Sequence, residues 1–412
     1  MLIPRHIRPR VVEALAESRA VALLGARQVG KSTLVLEIAH AEHRARYISL
    51  DDAGVAQAAR SDPVELIASL SGPAVIDEIQ RAPELLMAIK QRLDADDSRG
   101  QFLLTGSANL LTLPTIADAL PGRVEYLRLW PLSQRELRGS AEPFIDPLFE
   151  GRFPAVAEAP VGRDAIASML VTGGYPEAQR QSPRGLDRFF ASYVDSLLGR
   201  DIADVAAIRE PRNVDRVLRM IGARSGSIVS VNGMAGELGI DRATVAKHIE
   251  VLENLFLIWR LGAWQRNLGS RLVKSPKAYV VDSGLLAHLI GADAHRVRED
   301  GGVAGAMLES FVAMELVRQG ELAERPLTLH HYRDQRQHEV DVVLERYSGE
   351  IVGVEVKAGA TPRNTDFEGL RFLRDKLGSR FKAGALIYTG SQTLPFGDRL
   401  AAVPVSGLWR SG

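Results

Sequence analysis

The 412-residue sequence contains no cysteine, which excludes disulfide bonds, zinc sites built from thiolates, and thiol nucleophiles. It also lacks any apolar run near the roughly 20 residues that a membrane-spanning helix requires. No apolar segment follows the basic N-terminus, so no signal peptide is expected. Lys and Arg number 51 and so do Asp and Glu, so a nucleic-acid surface would have to be local. These absences predict a soluble, cytoplasmic protein without a membrane partner.

The composition that remains is that of a folded protein. Hydrophobic residues make up 46% of the chain and charged residues 25%, which is a globular balance. A chain of this length exceeds one ordinary hydrophobic core, so we expect two to four domains.

A phosphate-binding loop is predicted near the N-terminus, between an apolar run at 20–24 and a helical segment. It matches the pattern G-x-x-x-x-G-K-[ST] at every fixed position, with the residues Gly25, Ala26, Arg27, Gln28, Val29, Gly30, Lys31, Ser32 and Thr33. In such loops, backbone N–H groups and the following helix N-terminus bind phosphate oxygens. We expect Lys31 to reach the β- and γ-phosphates of ATP and the Ser32 hydroxyl to face Mg²⁺.

An acidic pair, Asp77 and Glu78, ends a second apolar run. Asp77 is suited to hold Mg²⁺ through water, and Glu78 to orient and polarise the attacking water. Such a pair alone is more often an ordinary solvated strand end. Together with the glycine loop it predicts ATP hydrolysis.

Short apolar runs alternate with helical segments up to about residue 129, which predicts an α/β domain with a mainly parallel sheet. The expected strands are 20–24, 46–50, 74–77, 101–105 and 124–129. Ligands bind at the carboxyl ends of such strands, so the loop, the acidic pair and Ser107 should meet one nucleotide. Ser107, with Asn109 as second choice, is a candidate to contact the γ-phosphate or water, although either is also typical of a helix N-cap. Arg123 follows a Pro-Gly turn and is a candidate arginine finger, for this subunit or a neighbour, or else an ordinary surface arginine.

Seven short motifs make nearly the whole chain resemble bacterial and archaeal AAA-type ATPases that carry a C-terminal domain of unknown function. They are residues 25–33, 77–81, 104–107, 122–123, 131–133, 173–177 and 200–202. The resemblance implies an ATP-binding and ATP-hydrolysing core, a winged-helix segment, and a C-terminal fold similar to restriction endonucleases.

This predicts four domains in an α/β protein of the P-loop NTPase (AAA/ASCE) class. They are a P-loop AAA-type ATPase core at 1–145, a helical lid at 146–210, a winged helix at 211–268, and a PD-(D/E)xK nuclease-like domain at 269–412. Residues 212–277 hold eleven Lys and Arg against five Asp and Glu, a net charge of +6. Arg242, Thr244 and Lys247 would then contact DNA phosphates from a recognition helix. A winged helix that only packs domains together is the alternative.

The segments 339–344 and 352–357 predict a β-hairpin. If it is centred at Ser348, Asp341 lies opposite Glu355, with Lys357 on the same face two residues along. Opposed carboxylates repel, so we expect a divalent cation between them. Asp followed by Glu-x-Lys is the PD-(D/E)xK nuclease pattern, in which Lys357 would help to position the attacking water. This resemblance implies that Glu309 is the upstream acidic residue and a further metal ligand. An ion pair on a solvated strand face and an inactive nuclease-like fold remain alternatives.

Two functions are therefore expected. The first is Mg²⁺-dependent ATP hydrolysis coupled to a nuclease-like domain that acts on nucleic acid, with DNA favoured over RNA, in a chain that forms a homo-oligomer if Arg123 acts between subunits. The second is a regulatory or DNA-binding AAA-type ATPase whose C-terminal domain is a non-catalytic binding module.

Overall fold

The computed structural model describes residues 2–107, 122–155, 161–201, 210–265, 274–336 and 338–409. The chain divides into two compact units, of which the first is mainly Met1–Pro131 and the second takes most of the chain from Leu132 to Gly412. Across these described ranges, none of the helices combines the length and apolarity needed to cross a bilayer. The three predicted domain boundaries, after residues 145, 210 and 268, stay predictions, and the main division between the compact units falls earlier, after Pro131.

The first unit alternates helices and strands. Its helices are α1 (Arg8–Glu17), α2 (Lys31–Ile38), α3 (Ala53–Ser61), α4 (Pro63–Ala68) and α5 (Leu85–Ala95). Its strands are β1 (Ala20–Leu24), β2 (Arg46–Ser49), β3 (Ala74–Asp77), β4 (Phe102–Gly106) and β5 (Val124–Arg128). Each strand agrees with its predicted range to within one residue at either end.

These strands form one parallel sheet in the order β2-β3-β4-β1-β5. All residues of β1, β3 and β4 are buried, as expected for parallel strands whose sequences are apolar on both faces. Because β4 lies between β1 and β3, the carboxyl ends of these three strands are neighbours. The glycine loop, the acidic pair and Ser107 follow those three ends.

The second unit contains more elements. Its helices are α6 (Gln134–Arg138), α7 (Ile145–Phe149), α8 (Arg163–Thr172), α9 (Pro183–Ser196), α10 (Pro211–Ala223), α11 (Val231–Leu238), α12 (Arg242–Asn254), α13 (Ser283–Ile290), α14 (Ala294–Glu299), α15 (Gly301–Gly320) and α16 (Glu368–Leu377). Its strands are β6 (Ser227–Ile228), β7 (Ile258–Leu261), β8 (Lys277–Val280), β9 (Leu327–Arg333), β10 (Glu339–Arg346), β11 (Ile351–Lys357), β12 (Phe381–Tyr388), β13 (Leu394–Pro395) and β14 (Leu400–Pro404).

Helices α8 and α9 lie within the segment predicted to be a helical lid, and both pack against α13 of the same unit. The aromatic residues of α9 form part of this packing. The Tyr175 and Tyr193 hydroxyls are 2.9 Å apart, and Phe190 meets the Tyr175 ring edge-on. The aromatic side chains of α9 therefore form a packing surface.

Helices α10, α11 and α12 are followed by β7 and β8, and β8 pairs with both β6 and β7 in an antiparallel sheet of order β6-β8-β7. Helix α11 ends at Gly239, whose φ of 66° is left-handed, and α12 begins after Asp241. The Asp241 carboxylate accepts a 2.9 Å hydrogen bond from the Thr244 N–H, as expected for an N-cap.

A mixed sheet of order β13-β14-β12-β11-β10-β9 forms the core of the C-terminal part. Strands β10 and β11 pair antiparallel with Val342 opposite Val354, which is the predicted register. The turn contains Gly349 at a φ of 81°. Both faces of the hairpin are buried, because Val343 on the carboxylate face and Val342 on the other face are each fully buried.

Candidate functional site

The glycine loop connects the end of β1 to the start of α2. Gly25 is required by packing, because a Cβ there would lie 2.1 Å from the backbone carbonyl oxygen of Leu129. Gly30 is required by conformation, since its φ of 97° is left-handed. The loop is therefore a closely packed backbone turn without side chains at its two critical points. This is the shape that lets backbone N–H groups approach phosphate oxygens.

Lys31 is the first residue of α2 and only 4% exposed. Its ammonium group donates hydrogen bonds of 3.0 Å to the carbonyl oxygens of both Gly25 and Ala26. The lysine therefore lies along the loop that it is expected to serve. Of the other loop residues, Val29 is buried and Thr33 is exposed.

Arg5 also contacts the loop and was not found by sequence reasoning. Its guanidinium donates to the Val29 carbonyl at 2.6 Å and to the Trp130 carbonyl at 2.7 Å. These two hydrogen bonds connect the N-terminal segment to the glycine loop and to Trp130. No motif surrounds Arg5, so only the folded structure reveals it.

Asp77 lies at the end of β3 and is 2% exposed. Its carboxylate accepts hydrogen bonds from the hydroxyls of Ser32 at 3.1 Å, Tyr47 at 2.8 Å, and Thr105. Burial and the Asp77 hydrogen bond raise the pKa of Tyr47. Ser32 and Asp77 thus meet as predicted, and their oxygens suit Mg²⁺, which binds proteins through one or two carboxylates and otherwise keeps water and phosphate ligands.

Glu78 follows at a left-handed φ of 60°. Its N–H donates 3.0 Å to the Thr105 hydroxyl, and its carboxylate accepts from the side-chain amide of Gln80. The same amide nitrogen donates 2.8 Å to the Ser107 hydroxyl. Glu78, Gln80 and Ser107 therefore form a linked row beside Asp77. Asn109, the second choice to Ser107, lies outside the described residues.

Arg123 is not part of this group. It precedes β5, and β5 runs parallel to β1 with Val124 beside Ala20 and Arg128 beside Leu24. Arg123 is thus five residues, about 17 Å, from the edge that bears the loop. Its guanidinium pairs with Asp94 of α5 at 2.5 Å. The structure does not bring Arg123 to the loop of its own chain, and a role as an arginine finger, in this subunit or a neighbour, stays a prediction.

The second group of acidic residues surrounds the hairpin of β10 and β11. The Val356 N–H donates 3.0 Å to Asp341, and Lys357 donates 2.7 Å to Glu355. The side chains of Asp341 and Glu355 are 7% and 8% exposed. The hairpin therefore brings the predicted carboxylates into one buried region, which excludes a solvated strand face.

Lys277 of β8 lies among these carboxylates and was missed by sequence reasoning. Its ammonium group is 3.0 Å from Glu309, 2.9 Å from Glu339 and 3.2 Å from Asp341. The Tyr279 hydroxyl donates a further 2.9 Å hydrogen bond to Glu309. We call Lys277, Glu309, Glu339, Asp341 and Glu355 the acidic cluster.

The electrostatics of the acidic cluster reflect its burial and its excess of carboxylates. Burial and the Asp341 charge raise the pKa of Glu309 to about 7 and that of Glu355 to about 8. Burial acts to lower the pKa of Lys277, but the charges of Asp341 and the other carboxylates outweigh it and raise that pKa. Lys277 therefore stays charged at neutral pH.

The expected metal site at Glu309, Asp341 and Glu355 is not formed. Among the described residues, no three or more His, Cys, Asp or Glu side chains are grouped so that they could hold a metal ion. The physical reason is that Asp341 and Glu309 share the Lys277 ammonium group, whereas Glu355 pairs with Lys357. The carboxylates are directed to two lysines rather than to one vacant point.

The predicted recognition-helix residues lie on α12. Arg242 and Lys247 are exposed, whereas the Thr244 hydroxyl is held by the Asp241 carboxylate. Two exposed cations are thus available to a phosphate backbone from this helix.

A cleft of about 660 Å³ opens beside α15 in the second unit. Its cationic lining residues are Arg163, Arg298, Lys357 and Arg363, and its acidic ones are Glu299, Glu309 and Asp366. Gly301, Gly305 and Gly359 also line it, and a Cβ at any of these three would meet no atom within 4 Å. Neither packing nor backbone conformation requires glycine at these positions.

A buried carboxylate explains the motif at 173–177. Asp282, 1% exposed, accepts hydrogen bonds from the N–H groups of Gly174, Gly284 and Leu285 at 2.6, 2.9 and 3.0 Å. Burial raises its pKa. A Cβ at Gly173 would lie 2.2 Å from the Asp282 carboxylate, so a side chain there would displace this contact.

Comparison with protein families identifies the class of the first unit. Residues 17–138 match the family model described as an AAA domain. Residues 163–296 and 304–408 match two domains of unknown function, DUF8612 and DUF4143. The chain therefore carries an AAA-type ATPase domain followed by a DUF4143 domain, which confirms that part of the resemblance. The nuclease-like fold and the winged helix stay predictions.

The chain is also similar to individual proteins. It is 28% identical over 416 residues to uncharacterized protein Mb2031c of Mycobacterium bovis and to uncharacterized protein Rv2008c of Mycobacterium tuberculosis. Each alignment covers 100% of this chain and 86% of the relative. An uncharacterized protein of Haemophilus influenzae is 24% identical over 260 residues, covering 60% of this chain and 58% of that protein.

Among solved structures, the RuvB Holliday junction branch migration motor of Thermotoga maritima aligns at a TM-score of 0.30 and 18% identity, over 63% of this chain and 90% of that one. The DNA clamp loader delta protein of Bacillus subtilis aligns at a TM-score of 0.27 and 12% identity, over 60% and 87%.

Proposed function

We propose that the first unit binds and hydrolyses Mg²⁺-ATP. The observation that carries the proposal is the hydrogen bond of 3.1 Å between Ser32 of the glycine loop and Asp77 of β3, beside the row of Glu78, Gln80 and Ser107. The end of β1 thus leads into the glycine loop, the end of β3 carries Asp77 and Glu78, and the end of β4 leads to Ser107. All three lie at one edge of the sheet.

Each residue has a role that follows from its chemistry. Ser32 and Asp77 would hold Mg²⁺, and Lys31 would neutralise phosphate charge. Bound Mg²⁺-ATP supplies the transferable γ-phosphoryl group and the charge of the metal. Glu78 is the base that orients and polarises water, while Gln80 and Ser107 fix the direction of its carboxylate.

The test of this proposal is ATP turnover by the purified full chain, followed by phosphate release. We expect Lys31→Ala to lower turnover by about 100-fold or more, because it removes a positioned charge from the phosphate site. The matched control is Lys382→Ala, which removes an exposed lysine of the second unit that pairs with Glu350. Equal turnover in both variants would overturn the proposal.

We further propose that the second unit binds nucleic acid, DNA in preference to RNA, through a winged helix. The sequence α10-β6-α11-α12-β7-β8 with sheet order β6-β8-β7 supports the winged helix. The net charge of +6 over 212–277 and the exposed Arg242 and Lys247 support phosphate contact.

The cleft beside α15 gives a second line of support. Arg163 and Arg363 have no carboxylate partner for their side chains among the described residues. The three glycines without a packing role keep backbone free of side chains next to these cations. A phosphodiester chain is a ligand that needs both features.

Nucleic-acid binding can be measured by fluorescence anisotropy with labelled single- and double-stranded DNA and RNA over a salt series. We expect Arg163→Ala with Arg363→Ala, and Arg242→Ala with Lys247→Ala, each to weaken binding and to lower the salt slope by about 1 to 2. Lys382→Ala is again the control. Binding that none of these changes affects would contradict the proposed surfaces.

Phosphodiester cleavage is the second candidate function. The register that places Asp341 opposite Glu355, with Lys357 two residues along, favours it. A panel of DNA and RNA substrates with Mg²⁺ or Mn²⁺, with and without ATP, tests it against Asp341→Ala. Cleavage that Asp341→Ala abolishes would make the chain an ATP-linked nuclease. Intact ATP turnover without cleavage would leave a regulatory ATPase with a non-catalytic binding module.

A further inference from the structure

The Lys277 side chain is the centre of the acidic cluster. It is 4% exposed and contacts carboxylates from two other elements, Glu309 on α15 and both Glu339 and Asp341 on β10. An ammonium group carries three N–H donors and no acceptor. Three carboxylate oxygens within 3.2 Å therefore match its full hydrogen-bonding capacity.

The other lysine of this region differs in its surroundings. Lys357 is 42% exposed and pairs with Glu355 at 2.7 Å. An exposed ammonium can leave its partner for water at little cost, because solvated ion pairs contribute little to stability. Lys277 has no such exit, since removing one partner from a buried ion pair leaves uncompensated buried charge.

We propose that the ammonium group of Lys277 is the resident cation of the acidic cluster, in the place where a divalent metal was expected, and that it fastens β8 to α15 and β10. Tyr279, two residues along β8 and so on the same face, adds a second link through its hydrogen bond to Glu309. The cluster is then a lysine-centred ion network that holds β8 of one sheet to β10 of another.

The decisive experiment is Mn²⁺ binding by the full chain, measured by electron paramagnetic resonance without nucleotide. Asp77→Asn serves as the background, because it removes the carboxylate expected to bind metal in the first unit. We expect no stoichiometric Mn²⁺ binding in this background. Adding Lys277→Met should create a site, since Glu309, Glu339 and Asp341 then lack their shared cation, and adding Asp341→Asn to that variant should abolish it.

Two results would overturn the proposal. One is stoichiometric Mn²⁺ binding to the Asp77→Asn protein that is lost on Asp341→Asn, because the cluster would then be a metal site with Lys277 in place. The other is an unchanged stability of Lys277→Met. The Mn²⁺ measurement on the Asp77→Asn protein leaves Lys277 unaltered. It therefore tests the proposal even if Lys277→Met does not fold.

Thermal unfolding by calorimetry gives the second readout. We expect Lys277→Met to lower the Tm of the second unit by about 10 °C, as removing one partner of a buried ion network does. The matched control, Lys382→Met, removes an exposed lysine with one carboxylate partner and should change the Tm by less than about 2 °C. Lys277→Arg keeps the positive charge and should lower the Tm by less than Lys277→Met does.

Discussion

Both units gather carboxylates at strand ends, but they give them different partners. In the first unit, Asp77 is surrounded by the hydroxyls of Ser32, Tyr47 and Thr105. In the second unit, Asp341 and Glu309 share the buried ammonium of Lys277. The first carboxylate has neutral donors, whereas the second pair already has a cation.

The difference decides what each group can accept. A hydroxyl can turn its oxygen toward an incoming cation and rehydrate or rebond without leaving a charge behind. A buried ammonium that leaves its carboxylates costs several kcal/mol unless another cation takes its place. The first unit therefore suits the Mg²⁺-ATP site proposed for it, whereas the acidic cluster suits the lysine-centred ion network proposed for it.

The largest effect expected from this comparison is on ATP turnover when Glu78, the proposed base of the first unit, is changed. We expect Glu78→Gln to lower ATP turnover by about 100-fold or more while ATP affinity is retained, because the amide cannot accept a proton from water. Turnover and fluorescent-nucleotide binding measure the two quantities. Glu84→Gln, an exposed glutamate on the same unit, is the control. Parallel loss of affinity and turnover would show that Glu78 holds the loop rather than the water.

A smaller effect is expected on the pH dependence of the second unit. The folded-state pKa values of Glu309 and Glu355, about 7 and about 8, lie above the ordinary value of 4.5. The folded state therefore binds more protons than the unfolded chain between pH 4.5 and 8, so stability falls as pH rises through this window. We expect the Tm of the second unit to fall by a few degrees from pH 5 to 8.

Asp341→Asn should flatten that fall, because the Asp341 charge is the second cause of both shifts after burial. Burial also raises the pKa values of Asp282 and Glu315, so part of the slope should remain. Asp398→Asn, which changes a mainly exposed carboxylate paired with Arg399, is the control. If the Tm of Asp341→Asn falls with pH as steeply as that of the wild type, the acidic cluster is not one network of interacting charges.

The smallest effect is expected for Arg123→Ala, since Arg123 lies at the opposite edge of the sheet from the loop. At low protein concentration, turnover should stay within about twofold, and loss of the exposed Arg123–Asp94 pair should change the stability little. If Arg123 serves a neighbouring subunit, turnover per wild-type chain should rise with protein concentration and Arg123→Ala should remove that rise. Asp94→Ala separates loss of the ion pair from loss of the arginine.

The parts that could be predicted from sequence are those with local signals. Five apolar runs gave the strands of the first unit, and a turn centred at Ser348 between alternating strands gave the register of Val342 and Val354. The glycine loop was found because its residue types and spacing are dictated by backbone geometry. Asp77 and Ser32 were expected to converge, since parallel strands end at one edge.

The parts that could not be predicted depend on contacts between distant segments. Lys277 is 32 residues from Glu309 and 64 from Asp341, and nothing near it in sequence marks it as a partner for carboxylates. The opposed carboxylates led to the prediction of a divalent cation, but their chemistry alone does not distinguish a metal from an ammonium. For Arg123, the Pro-Gly turn suggested exposure but carried no information on which edge of the sheet the turn occupies.

The segment from Lys277 to Asp282 has two buried anchors five positions apart, one held by carboxylates and the other by backbone N–H groups. Side chains alternate along an extended chain, so one inserted or deleted residue between them would turn one anchor away from its partners. The length of this segment is therefore as constrained as its composition. Among natural variants of the chain, we expect insertions and deletions in the surrounding loops and none between residues 277 and 282.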